Sequence, residues 1–287
     1  RKIRVLLIPT TMVGWFWRRR KNKMTNIKIP KYFMGKEIAK EGKEAYERIM
    51  RGEYDKPKEQ TPIKNPIILP NKELSFIEDE NLYKEIIKYL DKTFPAQKDN
   101  LSNKLKFENN VMKGSNPYIA TAVDMYFKSI NSQHRIARQL DLETNLPMFK
   151  GCYEDTGLAL RSLENKNKSQ AEYLFSQLKQ RNSNIKFPIF INLRGLSLDS
   201  NLNFNLTDES QYKTAECLNW KNGEKYSKID EFGLPKEKDE NSLRQILIIN
   251  SGLSSCYLNR DSDLSSSSLD LSNSDDSGRV VLAKEKK

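Results

Sequence analysis

Leucines at positions 253, 258, 264, 269 and 271 recur through a stretch that is otherwise Ser, Asp, Asn, Cys and Tyr apart from Arg260, and the stretch runs directly into Gly278-Arg279-Val280-Val281. The two halves of this pattern pull in opposite directions. A Ser/Asp run buries too little apolar area to offset chain entropy and stays unstructured. Recurring large apolar residues followed by a β-branched run need a core to receive them. Long loops pinned at their leucines, with a final strand returning to a sheet, satisfy both demands. The rest of the chain must therefore supply that sheet and that core.

It has the material to do so. Hydrophobic residues make up 37% of the 287, and 12 Phe, 12 Tyr and 3 Trp exclude a globally disordered chain. The net charge of +11 raises nucleic-acid binding as a function, but its location argues otherwise. Arg1, Lys2, Arg4, Arg18, Arg19, Arg20, Lys21 and Lys23 carry eight of those charges, with no acid among residues 1–23. Because the chain opens on Arg and Met24 begins a conventional-looking segment, 1–23 reads as a basic and apolar extension, either a fragment or a stretch upstream of the true start, whose native status stays open. Its apolar run 5–17 is too short to cross a bilayer. That run ends in Arg18-Arg19-Arg20 where a signal peptide has a small-residue cleavage site. Three scattered cysteines, Cys152, Cys217 and Cys256, make neither a disulfide framework nor a zinc site and suit a reducing, cytoplasmic compartment.

Apolar spacing predicts helices over 34–52, 79–94, 116–140 and 168–181, with a proline-rich linker over 55–73. From about 185 the pattern turns to short β-branched or aromatic runs at 185–198, 202–206, 244–250 and 278–283. The expected organisation is a mainly helical region, 24–182, followed by a small α+β domain, 183–287, with short strands and long irregular loops.

The inventory for catalysis is thin. The single histidine, His134, falls inside the expected 116–140 helix, and no Walker, Rossmann or nucleophile-elbow glycine pattern is present. Tyr-Glu-Asp-Thr-Gly at 153–157 reads as a turn or helix cap. Lysines at 29–43 alternate with acids, as on a solvated helix face. Asn259, Asp261, Asp263, Ser265, Ser267 and Asp270 match EF-hand ligand spacing, but Leu264 replaces the turn glycine and Asp270 the bidentate Glu. No cofactor is expected, with Ca2+ the alternative that this spacing raises.

Three features of the C-terminal hundred residues resemble one known group. Phe232-Gly233-Leu234-Pro235 precedes Asp239 and Glu240. Ser272 to Val281 ends in Gly-Arg-Val without the usual aromatic between Gly278 and Arg279. Between them lies the Ser/Asp/Asn/Cys/Tyr alphabet. The chain resembles the variable proteins of diversity-generating retroelements, which end in a C-type-lectin or formylglycine-generating-enzyme-like fold. In that group adenines of template codons are mutated, and an AAY asparagine codon reaches Ser, Asp, Tyr and Cys. The resemblance implies a C-type-lectin-like display domain over 183–287 with variable loops at 254–277, a binder rather than an enzyme. The paired cysteines of the formylglycine type are missing, since Cys217 and Cys256 are isolated.

The expected ligand-binding surface is Ser255, Cys256, Tyr257, Asn259, Asp261, Ser262, Asp263, Ser265, Ser266, Ser267, Asp270, Ser272, Asn273, Asp275 and Asp276. Leu253, Leu258, Leu264 and Leu271 would anchor it, and Arg279 would tie the last strand to an acid. Such a surface is acidic and suits a basic or metal-bridged protein or surface ligand. Nucleic acid is the rival partner through 1–43, and a membrane enters only if 1–23 is native. The helical half would make the display domain oligomeric or couple it to other machinery.

Overall fold

Residues 154–160, Glu-Asp-Thr-Gly-Leu-Ala-Leu, are buried along their whole length in the computed structural model, which describes Tyr32–Phe33, Lys36–Glu37 and residues 73–164, 166–249 and 251–284. A strand buried on both faces must lie inside a sheet covered on both sides. This one, β7 (Glu154–Leu160), is a central strand of a six-stranded sheet. On one side it pairs antiparallel with β8 (Ile189–Asn192), which pairs with β11 (Tyr212–Thr214). On the other it pairs antiparallel with β15 (Leu253–Leu258). Strand β16 (Leu264–Ser266) follows, and β14 (Ile246–Ile248) closes the edge in parallel to it.

Side-chain alternation sends these strands into two cores. Leu158, Leu160, Ile189, Ile191 and Leu253 face a cluster that also receives Ile86, Leu90, Ile119 and Val123 from two helices. Ala159, Phe190, Cys256, Leu264, Ile246 and Ile248 face a second cluster with Cys217, Leu218, Tyr226 and Leu234. Gly157 stands where the sheet is tightest, because a Cβ there would lie 2.3 Å from the Phe190 ring.

Helix α1 (Glu80–Thr93) starts at Asp79, whose carboxylate accepts the Asn81 and Leu82 N–H groups. Helix α2 (Pro117–Ser129) starts at Asn116, which caps Ile119 N–H at 2.8 Å, with Pro117 in the first turn. It stops eleven residues short of the expected end at 140. Asn131 takes a left-handed φ of 50°, and the Asn131 and Ser132 N–H groups close onto the Lys128 and Phe127 carbonyls. This is a Schellman termination, and asparagine is the residue that tolerates it after glycine. His134 consequently lies on a strand, β6 (His134–Ile136), and not within a helix. Strands β6 and β3 (Glu73–Phe76) flank β17 (Val281–Lys284), so the last strand pairs with residues some 150 and 200 positions earlier.

These pairings overturn the expected fold class, a helical N-terminal region followed by a separate display domain. The chain divides into units Arg1–Pro62 and Ile63–Lys287, and the 182/183 boundary falls inside the second. There, strands and helices from both sides of residue 182 share the same sheets and the same core. In the first unit, β1 (Tyr32–Phe33) pairs antiparallel with β2 (Lys36–Glu37), inside the stretch read as a solvated helix face. The remainder of the helix expected over 34–52, the extension 1–23 and the linker up to residue 72 lie outside the described residues. Helix α4 (Lys168–Arg181) occupies the expected span. Between α2 and β7 a short helix, α3 (Gln139–Glu143), packs its buried Leu142 beside Leu258 and Val281. Among the described residues no helix is long and apolar enough to cross a membrane.

Gly157→Ala is expected to lower stability by roughly 1–3 kcal/mol through overpacking against Phe190. Urea unfolding reads this as a lower midpoint at unchanged slope, and an unaltered midpoint would show that Phe190 moves away freely.

Candidate functional site

Strand β15 and the two loops after it surround a cavity of about 290 Å³. Seven of the expected surface residues line it: Ser255, Tyr257, Asn259, Asp261, Asp270, Asn273 and Asp275. They converge because Ser255 and Tyr257 share one face of β15, while residues 259–263 and 268–277 fold over that face. Leu253, Leu258, Leu264 and Leu271 are each 3% exposed or less.

Local hydrogen bonding explains much of the Ser/Asp/Asn composition. Asn259 Oδ1 accepts the N–H groups of Asp261 and Asp263, both at 2.9 Å, and shapes the β15–β16 turn in which Ser262 has φ of 65°. Asp270 accepts from Ser272 N–H at 3.1 Å and Oγ at 2.8 Å. Asp275 accepts from Ser277 N–H at 2.7 Å and from its hydroxyl. Each is a side-chain turn two residues long, the motif for which Asn and Asp are favoured. The second loop is also stitched to the start of α2. Asn116 Nδ2 donates to Ser272 O at 3.2 Å, and Ser115 N–H donates to Ser274 Oγ at 3.0 Å.

Several expected surface residues face inward instead. Cys256 is fully buried in the second core, because it alternates with Ser255 and Tyr257, and burial pushes its thiol pKa up. Ser266 is buried beside Arg161, whose guanidinium sits in that core. Arg161 Nε donates to Leu218 O at 2.7 Å, Nη1 to Ser254 Oγ at 3.0 Å, and Nη2 to Ser266 Oγ. Burial lowers the Arg161 pKa to about 10. Asp263 is buried and accepts from Gln245 N–H at 2.9 Å and Nε2 at 3.3 Å, which ties the start of β16 to β14. Ser265 is buried on β16 within hydrogen-bond distance of the partly exposed Ser267. The positions matched to EF-hand spacing are thus split between a tight turn, a strand and a distant loop. Among the described residues no group of three or more His, Cys, Asp or Glu is arranged to hold a metal ion. Ser262, Ser267 and Ser272 are partly exposed, and Asp276 is exposed with Lys106 at 3.2 Å, all four outside the cavity lining. Arg279 Nη1 donates to the Asp276 and Gly278 carbonyls and not to a carboxylate.

Five lining residues escaped the sequence reading: Pro117, Tyr153, Asp155, Arg260 and Ser268. Asp155 matters most. It is 3% exposed, and Ser115 Oγ donates to its Oδ2 at 3.1 Å. Among the described residues no donor meets Oδ1. Burial pushes its pKa up to about 7 against the hydrogen bond from Ser115. Its place in the cavity comes from a bulge: Cys256 pairs with Gly157 but Tyr257 pairs with Asp155, leaving Thr156 as the extra residue. Without it Asp155 would oppose Leu258 and point to the other face. Thr156 is held by its hydroxyl, which donates to Gln139 Oε1 at 2.6 Å and lies 3.3 Å from Cys256 O. Tyr153 packs edge-to-face on Tyr257 with ring centroids 5.7 Å apart. Its hydroxyl donates to Ser115 O and accepts Asp275 N–H. No local signal marks Asp155: Thr156 and Gly157 separate it from the apolar run Leu158-Ala159-Leu160, and the bulge that turns it depends on β15, about 100 residues later.

The other buried acid of β7 is Glu154, on the opposite face, and among the described residues its carboxyl oxygens have no hydrogen-bond partner. Burial, with Asp155 adjacent, raises its pKa well above the ordinary carboxyl range.

No protein-family model, curated protein or solved structure matches this chain. The site is therefore read from its own chemistry. A cavity lined by Asp155, Asp261, Asp270 and Asp275 holds one cationic side chain, Arg260, and that guanidinium already donates to Asp275 Oδ2 at 2.9 Å and Ser277 Oγ at 2.8 Å. The arrangement suits recognition of positive or hydrogen-bond-donating groups.

Two outcomes are expected. An unfolded aspartate ionises at about 4, so between there and about 7 the native state holds an Asp155 proton that the unfolded state has released. The contribution of Asp155 is fully present below about pH 4 and is lost as the pH rises towards 7. Asp155→Asn should flatten the fall in urea-derived stability over this window by about one proton, with Glu154 keeping its own share; an unchanged slope would place the proton elsewhere. Ser266→Ala, which strands Arg161 Nη2, should cost roughly 1–3 kcal/mol. Asp261→Ala, on the exposed turn, should stay within about 0.5 kcal/mol. Equal losses would dissolve the distinction between frame and rim.

Proposed function

We propose that this chain is a binding module, not a catalyst, and that the cavity beneath its C-terminal loops recognises a protein or surface ligand. The observation that carries the reading is the convergence on one cavity of Ser255, Tyr257, Asn259, Asp261, Asp270, Asn273 and Asp275, over leucines buried below them. A pocket with a few convergent polar groups and an aromatic wall is the usual form of a binding site. Tyr, Ser and Asn offer adaptable contacts at modest entropic cost, as in antibody loops. The acidic lining supports a protein or cationic partner over nucleic acid, whose phosphates it would repel. A reducing, cytoplasmic setting fits three unpaired cysteines, two of them buried.

The resemblance to retroelement-diversified proteins gives this module its biological form, a surface altered by adenine mutagenesis. Hydrogen-bond roles narrow where that alteration can fall. Asn259, Asp270 and Asp275 shape their own turns, and Ser254, Asp263 and Ser266 hold the frame. The side chains of Tyr257, Asp261 and Asn273 close no turn, and Ser268 makes only an exposed bond to the Asp270 carbonyl, so these four are left as the positions of free choice.

Sequencing this locus in several close strains should find differences concentrated at 257, 261, 268 and 273, and scarce at 254, 263 and 266. An adenine-mutated near-repeat should lie beside a reverse transcriptase gene. Changes spread evenly over 254–277, with no such repeat, would remove the diversification reading.

A further inference from the structure

The lining of the cavity points to a narrower class of ligand than a protein surface in general. Asp155 is a carboxyl held at the cavity wall by one hydrogen bond, from Ser115 to Oδ2, with no donor among the described residues for Oδ1. Oδ1 is open to the cavity and not sealed inside the protein, so a donor entering the cavity can reach it and complete the carboxyl's hydrogen bonding. Tyr153 and Tyr257 stand beside it as an edge-to-face pair, and an aromatic wall next to a carboxylate is the pairing that attracts an organic cation. Of the remaining acids, Asp275 is paired with Arg260, and Asp270 has Lys166 at 4.0 Å. Asp261 is exposed and has no ion pair among the described residues. The volume, about 290 Å³, lies at the lower end for ligand pockets and accommodates one side chain rather than a large metabolite.

We propose that the cavity receives a single basic side chain, a lysine or arginine projecting from a protein partner, with Asp155 as its counter-ion and the Tyr153–Tyr257 pair as its wall. The inference rests on the binding-module reading and fixes the chemistry of its central contact. The charged head reaches Asp155 Oδ1, the aliphatic stem lies along the tyrosines, and Asp261 draws the cation towards the mouth. Removing a buried charge partner weakens such a contact through the other charge left unpaired, so its effect exceeds that of a rim charge.

The test is calorimetric titration of the full chain at pH 8 and low salt with capped tripeptides carrying lysine, arginine, acetyl-lysine or citrulline at the centre. The expected result is binding of at least one of the two cationic peptides, with its neutral counterpart about tenfold weaker or worse. Asp155→Asn should weaken the cationic peptide about tenfold, and Asp261→Asn only two- to threefold, with circular dichroism confirming that both variants are folded. If Asp155→Asn does not fold, Tyr257→Ala takes its place, with the same loss expected. Equal affinity for charged and neutral peptides, no binding of any peptide, or Ca2+ binding that displaces them would overturn the proposal. A failure here together with strain differences clustered at 257, 261, 268 and 273 would leave the display reading standing with another ligand. Failure of both would remove the module reading itself.

Discussion

One additional residue in strand β7 sets the geometry on which the rest of the site depends. With Thr156 unpaired in the ladder to β15, Asp155 and Tyr257 come opposite each other on the face that looks into the cavity. Glu154 and Leu258 are opposite each other on the reverse face. A regular ladder would exchange these roles. The bulge is secured from outside the sheet, since Gln139 of α3 binds both Thr156 and Glu143. Glu143 in turn accepts a two-pronged contact from Arg244 at 2.5 and 2.9 Å. The placement of one carboxyl therefore draws on a short helix, a central strand and the approach to the edge strand β14.

Around that constraint the molecule separates rigid from adjustable parts by burial. The two faces of the sheet are filled by different clusters, and the loops that close the cavity make few apolar contacts beyond their leucines. Their shape comes from short-range turns at Asn259, Asp270 and Asp275 and from bonds to the start of α2. Such loops hold their backbone while side chains between the turns remain free to differ, which is how binding surfaces are commonly mounted on a stable scaffold.

Where local pattern decided the structure, the sequence was readable. Helices α1 and α4 follow from apolar spacing and, for α1, an acidic cap, and β8, the short strand Phe204–Leu206 and β14 follow from β-branched or aromatic runs. The leucine anchors were readable for the same reason, as isolated apolar residues in a polar run. What was not readable depends on distant partners. Asn131 ends α2 through a left-handed turn that periodicity does not register. Strand β7 hid behind its two acids, and its neighbours in the sheet come from β8 and from β15, roughly 100 residues later. The burial of Ser254 and Ser266 is set by Arg161, also about 100 residues away. No window around either serine contains the reason for it.

That last arrangement has a consequence for how such a protein could change over generations. The same amino acid occurs within a few positions as a free surface group, a turn former and the acceptor for a sequestered guanidinium. A mutational process that works codon by codon has no access to this distinction. Some of its products would therefore alter specificity, and others would discard the fold that presents it. Under such a process the usable repertoire would be smaller than the combinatorial one, and Arg161, outside the cavity lining, would be one of the residues that set its size.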